Sequence, residues 1–193
     1  GGALGEAAAA VAGRGAARAW GGGRSAAALA AVVAMVAAAC AWRERAIVSP
    51  DNMLVMPADE RAIAWIRAHT PPEAVFLVGS FSAFADTVQA GEDAGWWLPL
   101  LAAPRRTTLP PINYGIERSV DPGYREAVNA LARQWSADLD APATRAALAT
   151  AGVTHAFVGV KGRQLDAAGL AASPFWRKVY DADGARVFER AGR

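Results

Sequence analysis

The sequence predicts an α/β protein, a small mixed-sheet domain with flanking helices and a C-terminal hairpin, preceded by one transmembrane helix. Three observations support this: an uncharged run at residues 25–42, two continuous apolar segments, and helix signals between those segments. Short apolar runs bounded by turn residues indicate strands covered on both faces, and their alternation with helices indicates a sheet flanked by helices. The predicted divisions are a flexible Gly/Ala/Arg-rich segment (1–24), the transmembrane helix (25–42), a connector (43–56) and an extracytoplasmic α/β domain (57–193).

The apolar run is long enough to cross a bilayer. At 1.5 Å per residue its eighteen residues span roughly 27 Å, close to the hydrocarbon thickness of about 30 Å. Trp20 and Trp42 flank the run, where indoles favour lipid headgroups. Alanine is only marginally hydrophobic, so a buried helix of a soluble protein stays an alternative. A cleaved signal peptide is the other, although the run is long for one.

Composition limits the remaining function classes. The chain has 193 residues and a net charge of +2, with 20 basic residues scattered against 18 acidic ones, so no nucleic-acid partner is predicted. Cys40, the only cysteine, lies inside the apolar run, which excludes an intrachain disulfide and a cysteine metal cluster. The length suits one ordinary domain plus an anchor. No cofactor is predicted.

The flanking charges predict an orientation. Three arginines precede the apolar run and two follow it closely, which under the positive-inside rule favours a cytoplasmic N-terminal flank. We therefore expect the protein in the cell membrane with its C-terminal domain outside the cytoplasm. The sequence starts with two glycines instead of methionine, and we expect further membrane helices of the same protein to precede it.

The first half of the domain begins with a helix and a strand. Pro57 opens the helix, and Thr70 ends it because the following proline disfavours the helical conformation. Residues 74–79 form a continuous apolar run and predict a central strand. Residues 80–95 are predicted as a loop or a short helical excursion, and residues 105–109 as a candidate second strand.

The second half continues the alternation. Asp121 and Pro122 begin a helix with apolar residues three and four positions apart. Another helix begins at Asp140 or Pro142 and ends at Gly152, which can take the left-handed conformation of a helix end.

The final segments predict one more buried strand and a hairpin. Residues 153–160 are apolar and typical of a strand, and a short helix follows at residues 165–171. Strands at 175–180 and 185–189 flank an Asp-Gly pair, the commonest short hairpin signal.

Four segments carry a resemblance to a known family. They are ADERAIAWIRAHTPPEAVFLVGSF, GWWLPLLAAPRRTTLPP, AGVTHAFVGV and SPFWRKVYDADGARVFER, within the part of the chain from Pro57 to the end. Together with the preceding apolar helix they resemble the C-terminal extracytoplasmic segment of bacterial multi-pass membrane proteins related to polyprenyl-phosphate-dependent, dolichyl-phosphate-mannose mannosyltransferase-like glycosyltransferases. In that family the catalytic acidic residue lies in an early loop between membrane helices, so the resemblance implies no catalytic residue in this chain.

Two tryptophans beside two carboxylates form the most site-like group. The indoles of Trp96 and Trp97 could stack on a sugar while Glu92 and Asp93 accept hydrogen bonds from its hydroxyls. Alternatively, the tryptophans pack the domain on its sheet or on the bilayer surface. The carboxylates could also act as an acid/base pair, but adjacent acids in a glycine-flanked loop are usually solvated.

Two adjacent arginines could bind a phosphate. A guanidinium group matches phosphate oxygens in a two-point geometry, so Arg105 and Arg106 are candidates for contacting a polyprenyl-phosphate-linked sugar. The alternative is attraction to anionic headgroups of membrane lipids.

The two histidines have structural interpretations. We expect His155 to be a hydrogen-bonded core residue and His69 to interact with the carboxyl end of a helix. Neither has a second ligand at metal-binding spacing, so no zinc site is predicted. Two functions remain: assistance to lipid-phosphate-sugar or acceptor binding in a glycosyltransferase-like membrane protein, without catalysis by this part alone, or a non-enzymatic, membrane-anchored interaction or structural domain.

Overall fold

A computed structural model describes residues 23–45, 53–118 and 121–191. The chain divides into two compact units, residues 1–52 and residues 53–193. The first unit contains helix α1 (Gly23–Glu44), which includes the predicted transmembrane run and extends it by two residues at each end. Residues 1–22 of the predicted flexible segment and residues 46–52 of the predicted connector lie outside the described residues.

Helix α1 has the length and the surface of a membrane span. Its segment Ser25–Glu44 has a mean hydropathy of 2.1, and none of the apolar window is buried. The larger side chains are open to the surroundings, as for Val33 and Met35, which are 58% and 64% exposed. The described residues of this chain therefore do not bury the apolar window of α1. Among the described residues, it is the one helix long and apolar enough to cross a membrane.

The second unit is the predicted mixed α/β domain. Its helices are α2 (Pro57–His69), α3 (Leu98–Leu101), α4 (Tyr124–Ala137), α5 (Pro142–Thr150) and α6 (Ala167–Ala172). Its strands are β1 (Val75–Val78), β2 (Ser80–Ala83), β3 (Val88–Gly91), β4 (Arg106–Thr107), β5 (His155–Val158), β6 (Trp176–Ala182) and β7 (Ala185–Arg190). Short 3-10 turns lie at Ala94–Trp97 and Ile112–Gly115.

Five strands form one sheet in the order β4-β1-β5-β7-β6. Strands β4, β1 and β5 are parallel, whereas β7 is antiparallel to both of its neighbours. The central strands β1 and β5 are buried along their whole length, as expected for strands covered by helices on both faces. Helix α2 packs on one face through Ile63 and Ile66, and helices α5 and α6 pack on the other through Leu148 and Leu170.

Several local predictions are confirmed. Helix α2 begins at Pro57 and its C-cap is Thr70, and Gly152 adopts a left-handed conformation with φ of 70° after α5. Strand β4 lies within the candidate strand at residues 105–109, and the predicted C-terminal hairpin is formed by β6 and β7.

The prediction for residues 80–95 was wrong. Strands β2 and β3 form an antiparallel hairpin in a separate two-stranded sheet, and Ser80 pairs with Gly91 at its base. The turn at residues 84–87 contains neither glycine nor proline, so it lacks the usual composition of a hairpin connection.

Candidate functional site

Three acidic side chains meet at the carboxyl ends of the parallel strands β1 and β5. Asp59 lies in the first turn of α2, and Glu92 and Asp93 directly follow β3. We call Asp59, Glu92 and Asp93 the carboxylate cluster. All three bind the β5–α6 loop, residues 159–166. The carboxyl edge of parallel strands is where ligand sites of open α/β sheets usually occur, so this cluster is the first candidate site.

The carboxylate cluster accepts hydrogen bonds from backbone N–H groups of that loop. The N–H of Gly159 donates to Asp93 Oδ2 at 2.6 Å, and the N–H of Val160 donates to Asp59 Oδ1 at 2.9 Å. The N–H of Gln164 donates to both oxygens of Glu92 at 2.9 Å. The loop is therefore held by three carboxylates from two separate parts of the chain, the start of α2 and the segment after β3.

The same carboxylates also fix their own segments. Asp93 Oδ1 accepts from the N–H of Gly95 at 2.8 Å, which begins the 3-10 turn after the hairpin. Asp59 Oδ2 accepts from the N–H of Met56 at 2.8 Å, which closes the start of α2. Asp59 and Asp93 thus each join two segments through their two oxygens.

Glycine makes this close approach possible. A Cβ atom added to Gly159 would lie 2.9 Å from Asp93 Oδ2 and 3.0 Å from Asp59 Oδ1, and one added to Gly79 would lie 1.9 Å from Glu92 Oε1. Both distances at Gly159 are shorter than ordinary van der Waals contacts. The glycines that end β1 and β5 therefore give the carboxylates access to the backbone.

Burial changes the acidity of Asp93. Asp93 is only 1% exposed, and the resulting desolvation of its carboxyl group raises its pKa from 3.8 to about 7. The N–H groups of Gly159 and Gly95 oppose this change by stabilising the charged form, whereas the negative charges of Glu92 and Asp59 add to it. The expectation that Glu92 and Asp93 are simply solvated is therefore wrong for Asp93.

The two adjacent tryptophans lie in different environments. Trp96 is partly buried against the core, and its Nε1–H donates to the carbonyl oxygen of Pro110 at 3.1 Å. Trp97 is 43% exposed and keeps part of its indole surface open. The geometry agrees with packing on the sheet for Trp96 and leaves Trp97 available for a ligand or a surface.

The two adjacent arginines also differ. Arg105 is 5% exposed, and its Nη2 donates to the carbonyl oxygens of Thr70 at 2.5 Å and Arg67 at 3.0 Å. Its Nε donates to Thr70 Oγ1 at 2.8 Å. Arg105 therefore stabilises the carboxyl end of α2, which favours a structural role over a phosphate contact. Arg106 on β4 is exposed.

The histidines lie near the opposite edge of the sheet from the carboxylate cluster. His155 is buried, stacks on Phe76 with ring centroids 5.0 Å apart, and its Nδ1 lies 2.8 Å from Thr154 Oγ1. Burial lowers the pKa of His155, an effect that Glu189 opposes. His69 Nδ1 lies 2.9 Å from the carbonyl oxygen of Trp65.

An open groove of about 810 Å³ lies beside His155 and includes Glu73, Glu189 and Arg190 in its lining. The neutral form favoured for His155 agrees with its expected role as a hydrogen-bonded core residue.

Sequence reasoning found Glu92 and Asp93 but missed their structural partner Asp59. The signal for a joint role was the placement of glycine at the ends of both apolar strands, because only glycine admits an acid so close to the backbone.

The comparisons with known proteins add no assignment. Within the described residues, no group of three His, Cys, Asp or Glu side chains is arranged to hold a metal ion. No protein-family model, curated protein or solved structure matches the chain.

Proposed function

We propose that this chain is a membrane-anchored, non-enzymatic α/β domain that acts by contact with other components at a membrane surface. The observation that carries the proposal is α1, whose segment Ser25–Glu44 has a mean hydropathy of 2.1 and no buried residue in its apolar window. A helix with this composition and exposure is stable in lipid and costly in water.

The second unit supports a role in contact more than a role in chemistry. The acidic side chains at the carboxyl edge of the sheet are used to hold the β5–α6 loop, and Asp93 is inaccessible at 1% exposure. General acid/base catalysis needs a group within hydrogen-bonding reach of its substrate. The exposed residues of the unit instead include several large apolar side chains, among them Phe84, Trp97 and Leu100.

Membrane fractionation of the full chain tests the anchor. After expression in a bacterial host, we expect the protein to stay in the membrane pellet during alkaline carbonate extraction and to be released by detergent. A Val33→Lys/Val36→Lys variant is the matched control, since each lysine costs roughly 2.5 to 3.5 kcal/mol at the centre of a membrane helix. A native chain found in the soluble fraction contradicts the proposal, and so does a product whose mass shows cleavage after α1.

The expected orientation, with the α/β unit outside the cytoplasm, has its own test. In a Cys40→Ala background, an Ala149→Cys variant places a single thiol at an exposed position of the α/β unit. We expect a membrane-impermeant maleimide to label it in cells whose outer membrane has been permeabilised while the cytoplasmic membrane remains intact. Labelling only after lysis places the domain in the cytoplasm and contradicts the extracytoplasmic assignment.

A second candidate function is assistance in binding a lipid-phosphate-linked sugar or its acceptor within a glycosyltransferase-like membrane protein, with further membrane helices of that protein as partners. The exposed indole of Trp97 and the exposed guanidinium of Arg106 favour it, because they offer the stacking surface and the phosphate donor such a ligand requires.

Binding of undecaprenyl phosphate to the full chain in nanodiscs discriminates the two candidates. Trp97→Ala and Arg106→Ala should each weaken binding at least threefold if the domain contacts this lipid, while Arg133→Ala on the exposed side of α4 should not. Equal affinities for all four proteins would remove the second candidate and leave the membrane-anchored contact domain.

A further inference from the structure

The β2–β3 hairpin presents apolar side chains to its surroundings. Phe84 at its turn is 71% exposed, and Phe81 on β2 is 44% exposed. Asp86 is the single charged residue in the hairpin, Ser80–Gly91. Large aromatic residues on a nearly uncharged, exposed element are typical of a surface that contacts another apolar phase.

The turn of this hairpin holds Phe84 in an unfavourable backbone conformation. Phe84, Ala85 and Asp86 have φ values of 50°, 52° and 63°, so three successive residues with side chains occupy the left-handed region. Such conformations are disfavoured for L-residues and cluster at functional positions. Glycine would avoid this strain but would remove the aromatic side chain from the turn.

A second apolar residue lies beside this turn. Ile116 is 90% exposed and directly follows Gly115, where an added Cβ would lie 2.0 Å from Val88 Cγ1 at the start of β3. The segment is fixed against the hairpin because Tyr114 Oη accepts a hydrogen bond from the N–H of Gln89 at 2.6 Å. We call Phe84–Thr87 together with Ile116 the hairpin tip.

The sequence keeps this domain close to any membrane that α1 crosses. Residues 45–56, twelve in number, separate the end of α1 from the start of α2. A chain of that length reaches at most about 40 Å in any conformation. A bilayer surface is therefore within reach of the domain and is present at a high effective concentration.

We propose that the hairpin tip inserts Phe84 and Ile116 into the interface of the bilayer that anchors the chain. This inference rests on the proposed membrane anchor. Aromatic and aliphatic side chains at the boundary between headgroups and acyl chains leave water, and the tip has no basic cluster for selective attraction to anionic lipids. Contact should therefore occur with zwitterionic lipid and persist at high salt.

Site-specific fluorescence of the full chain in phosphatidylcholine vesicles tests the insertion. In a Cys40→Ala background, an environment-sensitive probe is attached to Ala85→Cys at the tip or to Ala149→Cys as an exposed control. The control precedes β5 and so lies toward the amino edge of the parallel strands, whereas the hairpin follows the carboxyl end of β1.

We expect aqueous iodide to quench the tip probe at least threefold less than the control probe, and brominated acyl chains to quench the tip probe alone. Phe84→Asp in the same background should return the tip probe to the iodide accessibility of the control. Raising the salt to 0.5 M should leave the native pattern unchanged.

Other outcomes overturn the inference in distinguishable ways. A carbonate-resistant chain whose tip probe is as accessible as the control places the hairpin in water and leaves the anchor intact. Shielding from iodide without quenching by brominated lipid indicates a protein cover, such as a second copy. A chain that does not enter vesicles refutes the anchor and the insertion together.

Discussion

The α/β unit contains two antiparallel β-hairpins whose side chains differ in kind: one is rich in charged residues, and the other has a single charge. The β6–β7 hairpin has an Asp-Gly turn in which Asp183 and Gly184 have φ values of 51° and 92°. Seven of its fifteen residues are charged: Arg177, Lys178, Asp181, Asp183, Arg186, Glu189 and Arg190. Lys178 pairs with Asp181 at 2.5 Å, and Arg177 pairs with Glu189.

The β2–β3 hairpin has one charge, no glycine in its turn, and a phenylalanine that is 71% exposed. Its attachment also differs. Strand β7 joins its hairpin to the main sheet by pairing with β5, whereas β2 and β3 pair only with each other and are followed at once by Glu92 and Asp93 of the carboxylate cluster.

The β6–β7 hairpin therefore has the charged surface expected of a hairpin in water, whereas the exposed aromatic side chains of the β2–β3 hairpin are typical of a contact surface. Charged side chains protect β6, the edge strand of the five-stranded sheet, against pairing with other proteins. The β2–β3 hairpin lacks that protection and retains a strained turn. Glu92 and Asp93, which looked functional in sequence, fix the segment that follows this hairpin, whereas its aromatic residues Phe81 and Phe84 are exposed.

The largest expected effect concerns the attachment of the β2–β3 hairpin. The pKa of Asp93 is about 7 in the folded protein against an ordinary value of 3.8. Between these pH values the unfolded carboxyl group ionises while the folded one remains protonated. The contribution of Asp93 to stability is therefore greatest below about pH 4 and is lost as the pH rises to 7, by roughly 4 kcal/mol.

An Asp93→Asn variant isolates this contribution. The native protein should lose stability relative to the variant as the pH rises from 4 to 7, although the variant is weaker at pH 4 because its amide can accept only one of the two N–H groups. His155 acts in the opposite direction, since its lowered pKa costs stability at low pH, but it does so equally in both proteins. Urea unfolding in detergent, followed by tryptophan fluorescence, measures the difference, and parallel pH profiles would contradict it.

The contrast between the hairpins also explains what sequence could predict. The β6–β7 hairpin was recognisable because Asp-Gly is a local signal whose backbone preference fixes the turn. Strands β1 and β5 were recognisable because burial on both faces demands a continuous apolar run. In each case the physical cause acts within a few residues.

The β2–β3 hairpin and the carboxylate cluster depend on distant contacts. The turn residues Phe84 and Ala85 have no local preference for left-handed backbone, so the hairpin is maintained by surrounding packing, including Tyr114 and Asn129. Asp59 reaches Val160 across 101 residues, and Asp93 reaches Gly159 across 66. Likewise, no local signal separates buried Arg105 from exposed Arg106.

The next effect tests the turn of the charged hairpin. Gly184→Ala should destabilise the protein by about 1 to 2 kcal/mol, because a residue with Cβ is disfavoured at a φ of 92°. The nearest side chain would be 3.9 Å from the new Cβ, so the cost comes from the backbone. Gly123→Ala, at an ordinary φ of −99°, is the matched control; because Gly123 is the N-cap of α4, where alanine is less favourable than glycine, its cost should be below about 1 kcal/mol. Equal effects in urea unfolding would refute this explanation.

The turn of the apolar hairpin should respond in the opposite direction. Ala85→Gly removes the penalty of a φ of 52° and should stabilise the protein by about 0.5 to 1 kcal/mol, after the greater flexibility of glycine in the unfolded chain is included. Ala83→Gly within β2 has no such strain to relieve and should destabilise by a similar amount. A loss of stability in Ala85→Gly would show that the turn is not strained.

The smallest expected effect separates the role of Phe84 in contact from any role in folding. At 71% exposure its ring makes little contribution to the core, so Phe84→Ser should change the free energy of unfolding in detergent by less than about 0.5 kcal/mol. Phe76→Ser, which removes a fully buried ring from β1, is the positive control and should cost more than about 3 kcal/mol. If Phe84→Ser also cost several kcal/mol, the exposed ring would be a folding element and the two hairpins would differ in attachment but not in purpose. A near-neutral result would mean that the strained turn and its aromatic residue are not kept for stability, which leaves a contact outside the domain as the physical reason for them.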